Sequence, residues 1–121
     1  MIMGIGTDIV EIQRIKKACM DNPRFKLRVF TEGERAYALQ GEKTNYSSLA
    51  AMWAAKEAYA KATGKGFRGF GFRDVEVCRS NLGAPYLKLH NQAAIYADQK
   101  SVHLSLSHSD LSAIAFCIIE S

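Results

Sequence analysis

The chain has 121 residues, of which 48% are hydrophobic and 23% are charged. This composition excludes a disordered chain, and the length is too short for a barrel of eight βα units but sufficient for one domain over residues 1–121. Sixteen Lys and Arg residues against twelve Asp and Glu residues give a net charge of +4, and no run of eighteen apolar residues predicts a membrane-spanning helix.

The N-terminal segment predicts a strand followed by a helix. Residues 2–7 form a short apolar run with two glycines, where another backbone or a ligand can come close. Asp8 and Glu11 have the spacing of a capping box, so we expect a helix over residues 9–20. The following Asn-Pro pair at Pro23 is expected to end it.

Two further helices are predicted before the middle of the chain. Residues 31–34 repeat the capping-box spacing and predict a helix that reaches about Leu39, before a polar break at 41–45. The alanine-rich segment 46–63 predicts the longest helix. Gly64 has the position of its C-terminal cap.

The C-terminal half predicts a glycine-aromatic loop, four strands and a short helix. The loop spans 64–72, the helix spans 90–99, and the strands span 74–78, 86–89, 102–107 and 113–119. The last two strands are expected to form a hairpin. The order of elements predicts an α+β fold with a small, mainly antiparallel sheet packed with helices, including one long central helix.

The excess of positive charge is local. Residues 14–28 contain one acidic residue, Asp21, and six basic residues, namely Arg14, Lys16, Lys17, Arg24, Lys26 and Arg28. Such a surface can dock an acidic protein or a phosphate backbone, or it can be a solvated helix face. Nucleic acid is the weaker of the two partners, because Phe25 is the only aromatic residue available for base stacking.

Residues 64–69 match the GxGxxG pattern of dinucleotide-binding proteins. The pattern follows a predicted helix instead of joining a strand to a helix, so we reject that interpretation. A glycine loop with Lys65 and Arg68 can still present N–H groups and positive charge to phosphates. The alternative is a capping glycine followed by a flexible connection.

Three side chains are candidates for chemistry. Glu57 and Lys61 lie one turn apart on the long helix, where they form either a surface ion pair worth about 0.2–0.5 kcal/mol or part of a site that faces Gly64. Asp8 is either a helix cap or an oxygen ligand at a strand end. Asp8 and Glu57 together would suit Mg²⁺, which takes one or two carboxylates plus phosphates and water.

Two other patterns contain residue types that can carry chemistry. Residues 107–110 read Ser-His-Ser-Asp at the predicted hairpin, but members of a catalytic triad come from separate elements, so a polar turn is favoured. The three cysteines are far apart and include no CxxC pair, and the N-terminus lacks the features of a signal peptide. We therefore expect a reduced, cytoplasmic protein.

Taken together, these motifs resemble the holo-acyl-carrier-protein synthase family of phosphopantetheinyl transferases. The matching segments keep the order of that family and span nearly the whole chain: 4–12, 30–34, 53–62 with Gly64 and Gly66, and 105–109 with Ala113 and Ala115. One departure is Met52-Trp53, where the family often has Arg-Phe. The aromatic ring is kept, and any role of the arginine is lost or moved.

The resemblance implies transfer of 4′-phosphopantetheine from coenzyme A to a serine of an acyl carrier protein, with adenosine 3′,5′-bisphosphate as by-product. It implies that Asp8 and Glu57 bind Mg²⁺, that Lys61 contacts the pyrophosphate, and that Gly64 and Gly66 line the pyrophosphate loop. Glu57, directly or through a water, is the candidate general base. The resemblance also implies a homotrimer with its sites at the subunit interfaces.

The resemblance also assigns more distant contacts. Ser107 and His108 match the segment near the adenosine 3′-phosphate. The acidic carrier is expected to dock on a basic face that includes Arg14, Lys17, Arg24 and Arg28. No nucleic-acid or membrane partner is expected. The alternative is a basic, non-catalytic adaptor that binds an acidic protein or a nucleic acid.

Overall fold

Helices and antiparallel strands alternate along the computed structural model, which describes residues 1–121. In chain order the elements are β1 (Ile2–Glu11), α1 (Ile12–Asp21), α2 (Pro23–Val29), α3 (Glu32–Ala38), β2 (Leu39–Gln40), β3 (Lys43–Thr44), α4 (Tyr46–Thr63), a 3₁₀ turn (Phe72–Asp74), β4 (Val75–Arg79), β5 (Pro85–Leu89), α5 (Asn91–Tyr96), β6 (Ser101–His108) and β7 (Ser112–Glu120). The predicted α+β class is confirmed.

The largest sheet has three antiparallel strands in the order β1-β7-β6. Asp8 on β1 pairs with Ala115 on β7, and Ala115 pairs with Leu106 on β6. Side chains alternate between the two faces, so Val102, Leu104 and Leu106 turn toward the core, as the sequence pattern predicts. The β4–β5 hairpin forms a separate two-stranded sheet, and β2–β3 forms a two-residue pair.

Helix α4 lies across β1 and β7 and is the centre of the core. Eleven of its residues are buried, including Leu49, Met52 and Tyr59, and alanines occupy most of the others. A helix that is apolar on nearly every face is enclosed by protein. Its predicted bounds are confirmed, and Gly64 caps it in the left-handed conformation with φ 72°.

The prediction for residues 8–11 was wrong, because this segment continues β1 instead of starting a helix. Residues 8–11 pair with 115–112 of β7. Helix α1 begins at Ile12, and Glu11 at its N-cap makes no side-chain capping bond. Backbone pairing with a strand more than 100 residues away outweighs a local capping pattern, because β7 gives this segment main-chain hydrogen-bond partners and the pairing buries Val10 in the core.

The pair Asn22-Pro23 ends α1, as predicted. It also starts α2, a helix that was not predicted. Asn22 accepts a hydrogen bond from the Arg24 backbone N–H at 3.0 Å, and Pro23 occupies the first turn of α2. Both are strong N-terminal signals. The capping box of Thr31 and Glu34 on α3 is confirmed.

The C-terminal strands lie within one residue of their predicted bounds. Helix α5 is shorter than predicted and ends at Tyr96, ahead of Gln99 with φ 59°. A residue in the left-handed region cannot continue a right-handed helix. None of the helices combines the length and apolar character that crossing a membrane requires.

Candidate active site

Two glycines bring β1 into direct contact with the backbone of α4. A Cβ atom on Gly6 would lie 1.8 Å from the carbonyl oxygen of Ala58, and one on Gly4 would lie 1.9 Å from that of Ala62. No other residue type fits at this distance. The close approach expected at these glycines is therefore made by the helix that carries Glu57 and Lys61.

This contact places Asp8 beside Lys61. The Lys61 Nζ donates to Asp8 Oδ1 at 3.2 Å and to the carbonyl oxygen of Thr7 at 3.0 Å. The Asp8 side chain is only 17% exposed, whereas that of Lys61 is 55% exposed. Lys61 thus pairs across two elements, and the intrahelical ion pair with Glu57 is not formed.

Glu57 forms no salt bridge and lies in the same electrostatic environment. Burial raises the pKa of Glu57, and the charge of Asp8 raises it further, while Lys61 and Arg14 oppose the shift. The two carboxylates are therefore close enough to repel each other. Two carboxylates therefore face a single ammonium group, that of Lys61. A divalent cation bound between the carboxylates would stabilise this arrangement.

The exposed part of α4 is a single stripe. Between Leu49 and Ala62 only Trp53, Glu57 and Lys61 are not buried, and they follow each other at intervals of four residues. Solvent reaches α4 along this stripe, which leads to Gly64.

The segment after α4, residues 64–71, is called the glycine loop below. Gly64 and Gly66 have positive φ angles of 72° and 63°, and the Gly66 N–H donates to the Ala60 carbonyl at 3.2 Å. Lys65 is exposed, and its Nζ lies 5.9 Å from the centre of the Tyr96 ring. The loop thus leaves α4 one turn from Lys61 and presents backbone and two cations, Lys65 and Arg68, to solvent.

The side chains of Asp8 and Glu57 fit a magnesium site by their chemistry. No group of three or more His, Cys, Asp and Glu side chains in the structure is arranged to hold a metal ion. Mg²⁺ commonly binds through one or two carboxylates and fills its remaining positions with water and substrate phosphates. Two adjacent carboxylates near an exposed glycine loop match that requirement.

Ser107 and His108 lie elsewhere. They line a cavity of about 240 Å³ together with Ser47 and Ser48 at the start of α4 and Arg79 at the end of β4. Gly64 follows the other end of α4. Sixteen residues separate Ser48 from Gly64, which corresponds to about 24 Å of helix. One chain therefore does not bring all the predicted site residues together.

The predicted docking residues Arg14, Lys17, Arg24 and Arg28 are all exposed on α1 and α2. Lys17 forms an ion pair with Asp21 one turn away. Arg14 lies close enough to Glu57 for its charge to oppose the rise in the pKa of that carboxyl group. The basic face is therefore continuous with the carboxylate site.

The sequence analysis missed a buried ion pair next to the site. Lys56, which precedes Glu57, donates to both carboxylate oxygens of Glu34, and both side chains are fully buried. Glu34 was recognised only as part of a capping box. A lysine in an alanine-rich helix carries no sequence signal of burial, so this pair needed the structure.

Comparisons with known proteins agree with one another. A curated holo-[acyl-carrier-protein] synthase of Clostridium botulinum is 48% identical over 122 residues, covering 99% of this chain and 98% of that protein. A crystal structure of a holo-(acyl-carrier-protein) synthase from Bacillus anthracis, in complex with CoA (3′,5′-ADP), is 40% identical with a TM-score of 0.83 and covers 100% of this chain and 98% of its own.

A further crystal structure, the holo-[acyl-carrier-protein] synthase of Neisseria meningitidis, is 35% identical with a TM-score of 0.89, and both chains are covered completely. The sequence model of the 4′-phosphopantetheinyl transferase superfamily matches residues 4–117. With nearly its whole length matched in sequence and fold, this chain belongs to the 4′-phosphopantetheinyl transferase superfamily.

Proposed function

We propose that this enzyme transfers 4′-phosphopantetheine from coenzyme A to a serine of an apo acyl carrier protein, with Mg²⁺ as cofactor. The observation that carries the proposal is the convergence of Asp8, Glu57 and Lys61 beside the glycine loop. The names of the relatives support the carrier as acceptor. The Bacillus anthracis structure with CoA (3′,5′-ADP) supports coenzyme A as donor.

The reaction is a substitution at phosphorus. The serine Oγ forms a bond to the phosphorus that bears pantetheine, and the bond from that phosphorus to the bridging oxygen breaks. Adenosine 3′,5′-bisphosphate leaves with the electron pair. The serine proton passes through a water to Glu57, because a carboxylate that also binds a cation is a poor base in direct contact.

Negative charge grows on the bridging oxygen as its bond breaks. Lys61, which is more than half exposed, lies where it can donate to the diphosphate. The N–H groups of Gly64 and Gly66 donate to the Lys61 and Ala60 carbonyls of α4, so these glycines would line the diphosphate site through the open space left by their missing side chains. Mg²⁺ held by Asp8 and Glu57 would stabilise the charge on the phosphate oxygens.

The separation of Ser107 and His108 from the glycine loop supports a shared site between subunits. The diphosphate and the 3′-phosphate of coenzyme A are attached to the same ribose, so residues about 24 Å apart along one helix do not both reach them. We propose a homotrimer in which a neighbouring subunit supplies Ser107 and His108.

The outer face of the main sheet supports this assembly. It carries large apolar side chains that remain exposed in the single chain, namely Ile5, Ile9, Ile114 and Phe116. Contiguous exposed apolar surface of this kind marks an interface between proteins. A second and third copy of the chain would cover it.

The basic face of α1 and α2 is the proposed docking surface for the acidic carrier. Arg14 links this face to Glu57, so a carrier bound there would present its serine near the carboxylates. The three cysteines are free, which fits the reducing cytoplasm that we propose as the location.

Mass spectrometry of the carrier tests the function. Incubation of this protein with Mg²⁺, coenzyme A and apo carrier should add one 4′-phosphopantetheine to the carrier. Chelator, Asp8→Ala and Glu57→Ala should each abolish the gain, whereas Glu42→Gln, which alters an exposed carboxylate in the β2–β3 turn, should not.

Three results would contradict the proposal. A carrier that binds without gaining mass would indicate a non-catalytic adaptor, and a mass gain that survives chelator would exclude the roles given to Asp8 and Glu57. Retardation of RNA or DNA with a steep salt dependence, without carrier modification, would indicate a nucleic-acid-binding protein.

A further inference from the structure

The buried ammonium group of Lys56 contacts four oxygen atoms in the interior of the protein. Its Nζ donates to the Glu34 carboxylate oxygens at 2.8 and 2.9 Å, to the Phe72 carbonyl at 3.0 Å and to the Val75 carbonyl at 2.6 Å. Burial lowers the pKa of Lys56, and the carboxylate of Glu34 opposes that shift. One ammonium group thus joins α4, α3 and the segment that enters β4.

Glu34 completes the arrangement from the other side. Its carboxylate accepts the backbone N–H groups of Thr31 at 2.9 Å and Val77 at 2.8 Å. No buried side-chain polar atom in the structure is left without a partner. A buried ion pair costs desolvation energy that apolar side chains of similar volume avoid, so packing alone does not account for it.

The pair holds the far end of the glycine loop. This loop leaves α4 at Gly64 and ends where Phe72 starts the 3₁₀ turn, and four of its eight residues are glycine. The Phe72 carbonyl is bound by Lys56, and the Phe72 ring stacks on Trp53 with ring centres 4.8 Å apart. Both anchors lie on α4 within about one turn of Glu57.

We propose that Lys56 and Glu34 are positioning residues, which fix the glycine loop relative to Glu57 and Lys61. The loop contains no helix or strand, and half of its residues are glycine, which adds conformational freedom that must be lost on folding. The buried pair removes that freedom at the end remote from Gly64. The proposal rests on the proposed function only for its kinetic consequence.

The double variant Lys56→Met/Glu34→Gln tests this role. It removes both charges and nearly preserves volume, and the glutamine oxygen can still accept one backbone N–H. The matched control is Tyr59→Phe, which removes a buried hydrogen bond of 2.6 Å from the same helix to Ala93 and keeps the ring that packs against Phe70 of the loop.

In the transfer assay we expect kcat of the double variant to fall at least tenfold. The KM for the carrier should stay within twofold, because the basic face is untouched. Tyr59→Phe should keep kcat within twofold, even if its melting temperature drops by as much as that of the double variant. An equal effect of both variants on kcat would show a structural role only.

Two further readouts do not depend on activity. Trp53 is the only tryptophan, so its fluorescence reports the stack on Phe72. Trypsin can cleave the loop after Lys65 and Arg68. The double variant should shift the emission and accelerate cleavage at these two sites under conditions where it is folded, and the control should do neither.

Each outcome decides between the two proposals. Unchanged emission, cleavage and kcat in a folded double variant would overturn the positioning role. If the wild-type protein lacks transfer activity, the proposed function fails, while emission and cleavage still decide whether the pair holds the loop. Should the double variant not fold, Glu34→Gln alone must give faster loop cleavage and at least a threefold lower kcat, and wild-type values there would overturn the proposal.

Discussion

Glu57 is held in the native state at a cost that depends on pH. Its pKa is raised above the ordinary value of 4.5, mainly by burial and then by Asp8. The native state therefore binds the proton more tightly than the unfolded chain, and stability falls as pH rises from about 4.5 through the raised pKa. At pH values above the raised pKa, the stability has fallen by the full amount that this carboxyl group contributes.

Glu57→Gln removes this loss. In metal-free buffer we expect the variant to melt at a higher temperature than wild type at pH 7, and the difference to shrink toward zero as pH is lowered below 4.5. Thermal unfolding followed by circular dichroism between pH 4 and 8 measures it. A difference that stays constant across this range would contradict the assigned repulsion.

The residue types at the site were predictable from sequence, but their contacts were only partly so. Asp8, Glu57 and Lys61 could be selected because carboxylates bind cations and amines bind phosphates. That Lys61 pairs with Asp8 instead of Glu57 depends on how β1 crosses α4, which no local spacing encodes. Lys56 and Glu34 were invisible, since charged residues are almost always solvent-exposed.

At the scale of elements, the crossing of β1 and α4 depends on the absence of a side chain at Gly6. A methyl group there would lie 1.8 Å from the Ala58 carbonyl oxygen, so the two elements must separate. We expect Gly6→Ala to destabilise the fold by about 3 kcal/mol or more, the upper range for overpacking. Denaturant unfolding measures this difference.

Gly71→Ala is the matched control for that substitution. Gly71 has an extended backbone with φ −110°, and nothing lies within 4 Å of an added Cβ. It should change the free energy of unfolding by less than about 0.5 kcal/mol, as surface substitutions usually do. Equal stability of both variants would show that β1 can shift away from α4 without penalty.

The basic face formed by α1 and α2 should respond to salt. Exposed charge pairs are screened over about 10 Å at 0.1 M ionic strength, so raising the salt concentration should increase the KM for the carrier more than that for coenzyme A. Arg14→Ala should raise the KM for the carrier by roughly fivefold, on the scale of about 1 kcal/mol for an exposed pair. Lys43→Ala, on exposed β3, should not.

The steady-state assay at several salt concentrations gives both constants. Equal salt sensitivity of the two KM values would place carrier docking elsewhere on the surface.

Among the elements, those defined by local signals were predicted best. Helix α4 has strong helix formers throughout and a glycine cap, and the strand 102–107 alternates cleanly, so both were found. The predicted start of α1 was wrong because residues 8–11 pair with β7 as part of β1. Strand pairing between the two ends of a chain leaves no trace in a window of ten residues.

For the whole molecule, the shared site predicts that two inactive variants can rescue each other. Asp8→Ala and His108→Ala change residues that we assign to different subunits of one site. Each variant alone should be inactive or nearly so. Unfolding and refolding the two together should restore part of the activity, because mixed trimers contain sites with both residues intact.

The control mixes Asp8→Ala with Glu57→Ala, which alter the same part of each site and should not complement. Sedimentation should give a trimer for the wild type and a monomer for Phe116→Glu on the exposed sheet face. Absence of rescue from a mixture shown to exchange subunits would confine the site to one chain.

Between Leu49 and Ala62, helix α4 is enclosed by protein on every side except the stripe of Trp53, Glu57 and Lys61. Attempts to alter donor preference by random mutagenesis should therefore give folded enzymes from this part of the helix only at these three positions. Two of the three are reserved for chemistry under the proposed mechanism. Position 53 is then the remaining place in this part of α4 where a library can vary an accessible side chain, and because Trp53 also stacks on Phe72 at the end of the glycine loop, we expect only aromatic replacements there to keep the activity.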